Sequence, residues 1–282
     1  MNDKDFKKLV ESVNQMGAIM HGDSIPHCRT TNTKVAFLNL SLNSFNHTNI
    51  WKKFFDGGNK ETFNLYIHSK NKKCSVFKEY FIKNTVPTKW GQFSLVEATV
   101  ELMKSALVDE QNEYFTLISD SHLPLYSLNE TVDSIKQRYD ILTFTKHFSF
   151  HTKVKSQKIF KEGIKGYDFG EYNAVCQFFV CRRRDVEIFI ETFEYWSQFF
   201  VKEKVVFADE FYFWGVAKQL GMDFKMGQAT TYSDWSFRKL PDGKLERNPK
   251  AFTTFNKAML ESYRNQGFLY ARKAMPSTLI TF

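Results

Sequence analysis

The segment "VVFADEFYFWGVA", residues 205–217, sets two adjacent carboxylates, Asp209 and Glu210, into an aromatic stretch. Two chemistries fit such a pair. Asp209 at the start of a helix would accept hydrogen bonds from backbone N–H groups two or three positions on, with Glu210 facing the positive helix end. Alternatively, Phe207, Phe211, Phe213 and Trp214 would desolvate Glu210, and a carboxylate held between desolvation and a helix terminus suits a general base. A second candidate is Arg272-Lys273 in "YARKA", residues 270–274. Arginine forks onto phosphate oxygens and lysine adds a point charge; the plain alternative is an exposed basic pair without a ligand.

Metal chemistry has weaker support. The seven histidines stand at 21, 27, 47, 68, 122, 147 and 151. They form no HExxH pattern, and the "FSF" between His147 and His151 reads as extended. "SDS", residues 119–121, offers the single carboxylate of Asp120, so no DxD pair exists there. GxGxxG, GxxxxGK[ST] and GxSxG are absent, which argues against dinucleotide-binding, P-loop and α/β-hydrolase enzymes. The four cysteines, 28, 74, 176 and 181, form no CxxC. Cys176 and Cys181 fall in "AVCQFFVCRRR", which reads as a strand and puts them on opposite faces, the usage of a reducing compartment.

These residues need a scaffold. The 282-residue chain is 43% apolar and 25% charged, enough for a sizeable core. Thirty phenylalanines and frequent Lys and Asn suit an AT-rich coding genome. A net charge of +8 favours anionic partners. The cations are scattered apart from Arg182-Arg183-Arg184, so no nucleic-acid stripe is expected. The polar start and the lack of a long apolar run predict no signal peptide and no membrane span. A cytoplasmic location is expected (the host's, were the source viral).

Apolar spacing predicts an amphipathic helix over 5–20, then a polar loop over 21–33. Strands are predicted over 34–40, 63–69 and 113–120, and helices over 49–56, 94–109 and 131–138. Residues 76–82 read as helical or irregular. Strand and helix alternate about every 25 residues, the pattern of a parallel sheet with crossover helices. Ligands of such sheets bind beyond the carboxyl ends of the strands, here Asn39–Asn43, His68-Ser69 and Ser119–His122. Farther on, 173–200 reads as a strand running into one long helix. A helix to Leu220, a strand or loop over 229–237, a turn-rich loop over 239–252 and a helix over 256–267 follow. No repeat or linker interrupts the chain.

Taken in order, these pieces resemble the family 14 glycosyltransferases: core-2 and I-branching N-acetylglucosaminyltransferases, peptide xylosyltransferases and plant relatives of the DUF266 type. The resemblance rests on "VAFLNL", "LYIHSK", "WGQFSLVEATVELMKSAL", "EYFTLISDSHLPLY", "QFFVCRRRDVEIFI", "ADEFYF", "TYSDWS" and "FLYARKAMPS", and covers about residues 34–280. It implies an α/β fold of the GT-A type, with a mostly parallel central sheet flanked by helices. Residues 1–33 would be an extension and 34–282 a single catalytic domain. It further implies inverting transfer of a sugar from a UDP-sugar to the hydroxyl of a glycan or glycoprotein acceptor. GlcNAc, xylose and glucuronic acid remain equal candidates. Glu210 matches the family's base, with Asp209 orienting it or capping the helix. Arg272 and Lys273 match the cations on the diphosphate, in place of a metal. His68, Trp90, Gly91, Asp120 and His122 fall in the donor region, and Asp234 and Trp235 match the family's "DW" pair, with Trp235 placed to stack on a sugar.

The chain also departs from the pattern. Gln228 aligns where branching enzymes carry an arginine, so either Arg238 supplies that charge or phosphate binding rests on Arg272 and Lys273. The animal disulfides and anchor are missing, so a Golgi setting is not carried over. Acceptor contacts are expected from residues 145–172 and 237–252, and oligomeric state is open. A catalytically inactive binding protein on the same fold is the alternative reading.

Overall fold

Alternating apolar residues in three parallel strands give the fold its two faces. β1 (Lys34–Ser41) lies between β2 (Phe63–Ser69) and β3 (Asn112–Ser119), parallel to both. In β1, Ala36 and Leu38 enter one apolar cluster while Val35 and Phe37 enter the other, as a strand's period of two requires. A computed structural model describes residues 33–71, 76–145, 175–236 and 248–281, together with residues 8, 11, 238, 239 and 243. Most of the expected 5–20 helix, Cys28, Cys74, His147, His151 and most of the 145–172 loop lie outside the described residues; Lys8 and Glu11 are both helical.

The face of Val35 and Phe37 is covered by α1 (Thr48–Asp56) and α3 (Leu128–Arg138), through Trp51, Phe54 and Phe55 from one and Leu128, Val132 and Ile135 from the other. Burying an aromatic or aliphatic side chain of this size contributes roughly 1.5–3 kcal/mol. α3 begins at a capping box: Glu130 N–H donates to Ser127 Oγ, and Ser127 N–H donates to Glu130 Oε2 at 2.9 Å. The opposite face carries α2 (Ser94–Leu107), α4 (Arg183–Glu191), α5 (Phe193–Lys202) and α6 (Tyr212–Gln219). α7 (Lys257–Asn265) completes seven helices among the described residues.

Two expectations change here. The long helix read within 173–200 is two, because Thr192, at φ −91° and ψ −3°, departs from helical geometry between α4 and α5. The strand read from residue 173 shrinks to β6 (Val180–Arg182). Upstream of it, Val175 N–H donates to Glu210 O and Cys176 N–H to Thr145 O, so those backbone groups join other segments. Cys176 and Cys181 are both free thiols, as expected. Residues 78–80 form a 3-10 turn within the segment read as helical or irregular.

β5 (Leu142–Phe144) and β7 (Phe224–Met226) complete a six-stranded sheet of order β2-β1-β3-β6-β5-β7. β6 is antiparallel to both neighbours, and the other pairings are parallel. The arginine triplet serves this framework. Arg182 pairs with Glu113, and Arg183 donates to the Leu107 and Asp109 carbonyls.

A small second sheet sits beyond the carboxyl end of β3. Its middle strand, β10 (Tyr270–Arg272), runs parallel to β8 (Thr231–Ser233) and antiparallel to β4 (Leu123–Pro124). β11 (Ala274–Thr281) then pairs in parallel with β9 (Phe252–Asn256). This arrangement carries Arg272 and Lys273 to the turn after β3. Ala274 N–H donates to Ser121 O at 2.9 Å, which fixes the two segments against each other.

Candidate active site

Phe207 sets the geometry of the acidic pair. It occupies the left-handed region at φ 56°, and the 3-10 turn Ala208–Glu210 follows directly. Glu210 N–H donates to Phe207 O at 3.0 Å, and Phe211 N–H to Ala208 O at 3.0 Å. α6 starts after this turn, at Tyr212, and its N-cap position is Phe211, so Asp209 does not stand at the N-cap. Asp209 is buried and Glu210 half-buried.

Arg272 lies among acids. Its half-buried guanidinium is pulled below the usual arginine range by burial, with the nearby acids Asp120, Glu210 and Asp209 acting in the opposite direction. It still carries its proton at any physiological pH. Its carbon Cζ stands 4.7 Å from the ring centroid of Phe178, a cation–π contact. Asp120 is raised by burial, and held back by the Leu42 N–H, which donates to its Oδ2 at 3.3 Å, and by Arg272 and Lys273. Cys176, beside this group, is pushed up to about 11 by burial and stays a thiol. Carboxylates and a guanidinium from three distant segments, 120, 209–210 and 272, thus share one neighbourhood.

A cleft of 680 Å³ opens next to it, lined by Trp90, Arg238, Lys239, Asn248, Pro249, Ala251, Lys273 and Met275. Lys273 connects the cleft to Arg272, and Trp90 connects it to Phe207 through an edge-to-face contact of 5.1 Å. Asp120, Glu210 and Arg272 are not among the lining residues. Arg238 donates to the Asn248 carbonyl at 3.0 Å, which ties two of the lining residues together. Asp234 holds the neighbouring Ser236 and Lys250. Its carbonyl accepts from Lys250 N–H and its Oδ1 from Ser236 N–H, both at 2.8 Å. Burial raises Asp234, but the Ser236 bonds, Lys250 and Arg238 outweigh it and leave the carboxyl below its usual range. Trp235 is half-buried and is not part of the cleft wall.

The two histidines of the expected donor region are both held in hydrogen bonds, and the His122 ring meets Phe178, the platform of Arg272, at 4.4 Å. His68 is fully buried, and its Nε2 accepts from Val86 N–H at 3.0 Å. His122 is fully buried too. Its Nδ1 accepts from Ser119 N–H at 3.0 Å, and its Nε2 meets Thr231 Oγ1 at 3.2 Å. Burial and then Arg272 hold it well below the usual histidine range, so it is a neutral link between β3 and β8. Gln228 lies outside the cleft: it accepts from Arg138 and donates to the Gln266 carbonyl. Lys239, Asn248, Met275 and the Phe178 platform were not anticipated from the sequence. Only the expectation that 237–252 contributes to the site pointed near them.

Among the described residues, no three His, Cys, Asp or Glu side chains group as metal ligands, and no helix is long and apolar enough to cross a membrane.

A mostly parallel sheet with an acid–cation cluster beyond its carboxyl ends is the arrangement of a GT-A-type domain. The family model of the Core-2/I-Branching enzymes matches residues 35–265, most of the chain. The chain belongs to that family, the family 14 glycosyltransferases, as its motifs indicated. It is similar to Glycosyltransferase BC10 of rice (Oryza sativa subsp. japonica), at 33% identity over 112 residues, 37% of this chain. The match spans 28% of the rice protein's length.

Proposed function

We propose that the protein is an inverting glycosyltransferase that moves a sugar from a UDP-sugar to an acceptor hydroxyl. The observation that carries this reading is the meeting of Glu210 and Asp120 with Arg272, next to a cleft walled by Lys273 and Arg238. In this reading the Glu210 carboxylate takes the proton of the acceptor hydroxyl. The hydroxyl oxygen then attacks the anomeric carbon from the face opposite the leaving group. A new glycosidic bond forms, the bond to the diphosphate oxygen breaks, and UDP departs with both electrons of that bond. Arg272 and Lys273 stabilise the charge that develops on the diphosphate, as preorganised cations in a partly desolvated site can. Arg238 and Lys239 add positive charge along the same cleft.

The donor is of the UDP-GlcNAc, UDP-xylose or UDP-glucuronic acid class, and the acceptor a glycan or glycoprotein. No metal is required in this scheme, because the cations take the role of the leaving-group electrophile. We place the catalytic domain at residues 34–282 and the protein in the cytoplasm. Titration calorimetry with UDP in EDTA, with GDP and CDP as controls, tests the scheme. Selective UDP binding supports it. Binding that appears only after Mn²⁺ is added overturns the metal-free mechanism and points to Asp120. No binding of any nucleotide favours a non-catalytic protein on this fold.

A further inference from the structure

Trp90 and Gly91 form the middle of a tight turn, closed by Gln92 N–H donating to Lys89 O at 3.1 Å and leading into α2. Gly91 has φ +70°, a conformation that side-chain-bearing residues rarely adopt. Its carbonyl accepts the N–H of Phe207 at 2.8 Å. Phe207 is itself left-handed at φ 56°, a strained state for a bulky residue that persists where the surroundings over-determine it. The Phe207 carbonyl in turn accepts the N–H of Glu210 at 3.0 Å. Two hydrogen bonds therefore lead from Gly91 to the carboxylate-bearing residue. Trp90 completes the hold: its ring edges onto Phe207 at 5.1 Å while 71% of the residue stays exposed in the cleft wall. A Cβ on Gly91 would meet the Phe207 ring at 3.3 Å.

We infer that the Trp90–Gly91 turn is the positioning element for Glu210: it holds Phe207 left-handed and thereby aims the carboxylate. This rests on the reading that Glu210 is the base. It gives the turn a role distinct from donor binding, since Gly91 acts through Phe207 and offers the cleft no side chain.

The test is the NMR signal of the Glu210 carboxyl carbon in ¹³C-labelled protein, assigned by its loss in Glu210→Gln. In Gly91→Ala that signal moves from its wild-type position, since the surroundings of the carboxylate change. Trp90→Ala moves it too, and Trp90→Phe, which keeps an edge on Phe207, does not. Gly267→Ala is the control. Gly267 has φ +84° and its added Cβ would meet the Gln228 side chain at 3.0 Å, far from this turn in sequence and contacts; it strains the backbone but leaves the signal unmoved. An unmoved signal in both Gly91→Ala and Trp90→Ala overturns the inference. The turnover measurement below does not depend on this signal, but full turnover in Glu210→Gln leaves the signal as the deciding readout. Should Gly91→Ala not fold, Trp90→Ala carries the same test.

Turnover gives the second readout, as UDP release from whichever of UDP-GlcNAc, UDP-xylose and UDP-glucuronic acid is consumed. Gly91→Ala lowers kcat about tenfold or more with the donor KM nearly unchanged. A raised KM at unchanged kcat contradicts positioning and returns the turn to donor binding. Full turnover in Glu210→Gln sinks the base reading, while the position of the carboxyl signal still decides whether the turn positions the residue.

Discussion

Arg272 faces the ring of Phe178 at 4.7 Å, and its Nε, buried from solvent, has no hydrogen-bond partner among the described residues. A planar cation stacked on an aromatic keeps its remaining N–H groups in one fixed fan, which matches the oxygens of a diphosphate. Lysine would keep the charge but lose both the stack and the fan. Arg272→Lys should therefore weaken UDP binding by about tenfold or more, a loss of roughly 1.4 kcal/mol or greater. Calorimetry reads this directly, and unchanged affinity would show that the diphosphate does not rest on Arg272.

His122 gives a pH prediction. Burial and Arg272 hold its imidazole neutral in the folded protein, so the unfolded chain takes up the proton first on acidification. Stability is full above the unfolded value of about 6.5 and falls below it, by about 1.4 kcal/mol per pH unit from this group. His122→Asn keeps an acceptor for Ser119 N–H but has no proton to gain. The variant should be less stable at pH 7.5, and its deficit should shrink as pH falls to about 5. Urea melts at several pH values check this, and a deficit constant with pH would mean that His122 is not held neutral.

Trp51 supports the same turn from below. It is fully buried, stacks on Phe45 at 4.4 Å, and its Nε1 donates to the His122 carbonyl at 2.9 Å. Trp51→Phe removes the donor and leaves that carbonyl with a lost partner, at a cost of about 1–3 kcal/mol in unfolding free energy. A denaturant series measures it. A loss below about 0.5 kcal/mol would show that the bond adds little to the framework.

The sequence makes some of this legible and hides the rest for physical reasons. β1, β2 and β3 were readable because each packs apolar residues between helices. α2 was readable from its spacing, and its start followed from "WGQFS". The motif order named the family, because ordered pieces along 34–280 carry more information than any one of them. The break at Thr192 was hidden, since it lies in that residue's backbone dihedrals and no glycine or proline marks it in the sequence. The resemblance set histidines 68 and 122 in the donor region; their hydrogen bonds to Val86, Ser119 and Thr231 are contacts that the spacing does not reveal. The left-handed Phe207 gave no sign, because glycine is the residue expected at such a φ, and its partner Gly91 lies 116 positions away in the chain.

The central claim is that Glu210 removes the acceptor proton while Arg272 and Lys273 hold the nucleotide. The most direct measurement compares Glu210→Gln with the wild type in two assays, UDP affinity by calorimetry and UDP release from the donor that the wild type consumes. The account predicts unchanged affinity and turnover lower by about a hundredfold or more. Wild-type turnover in Glu210→Gln would contradict it.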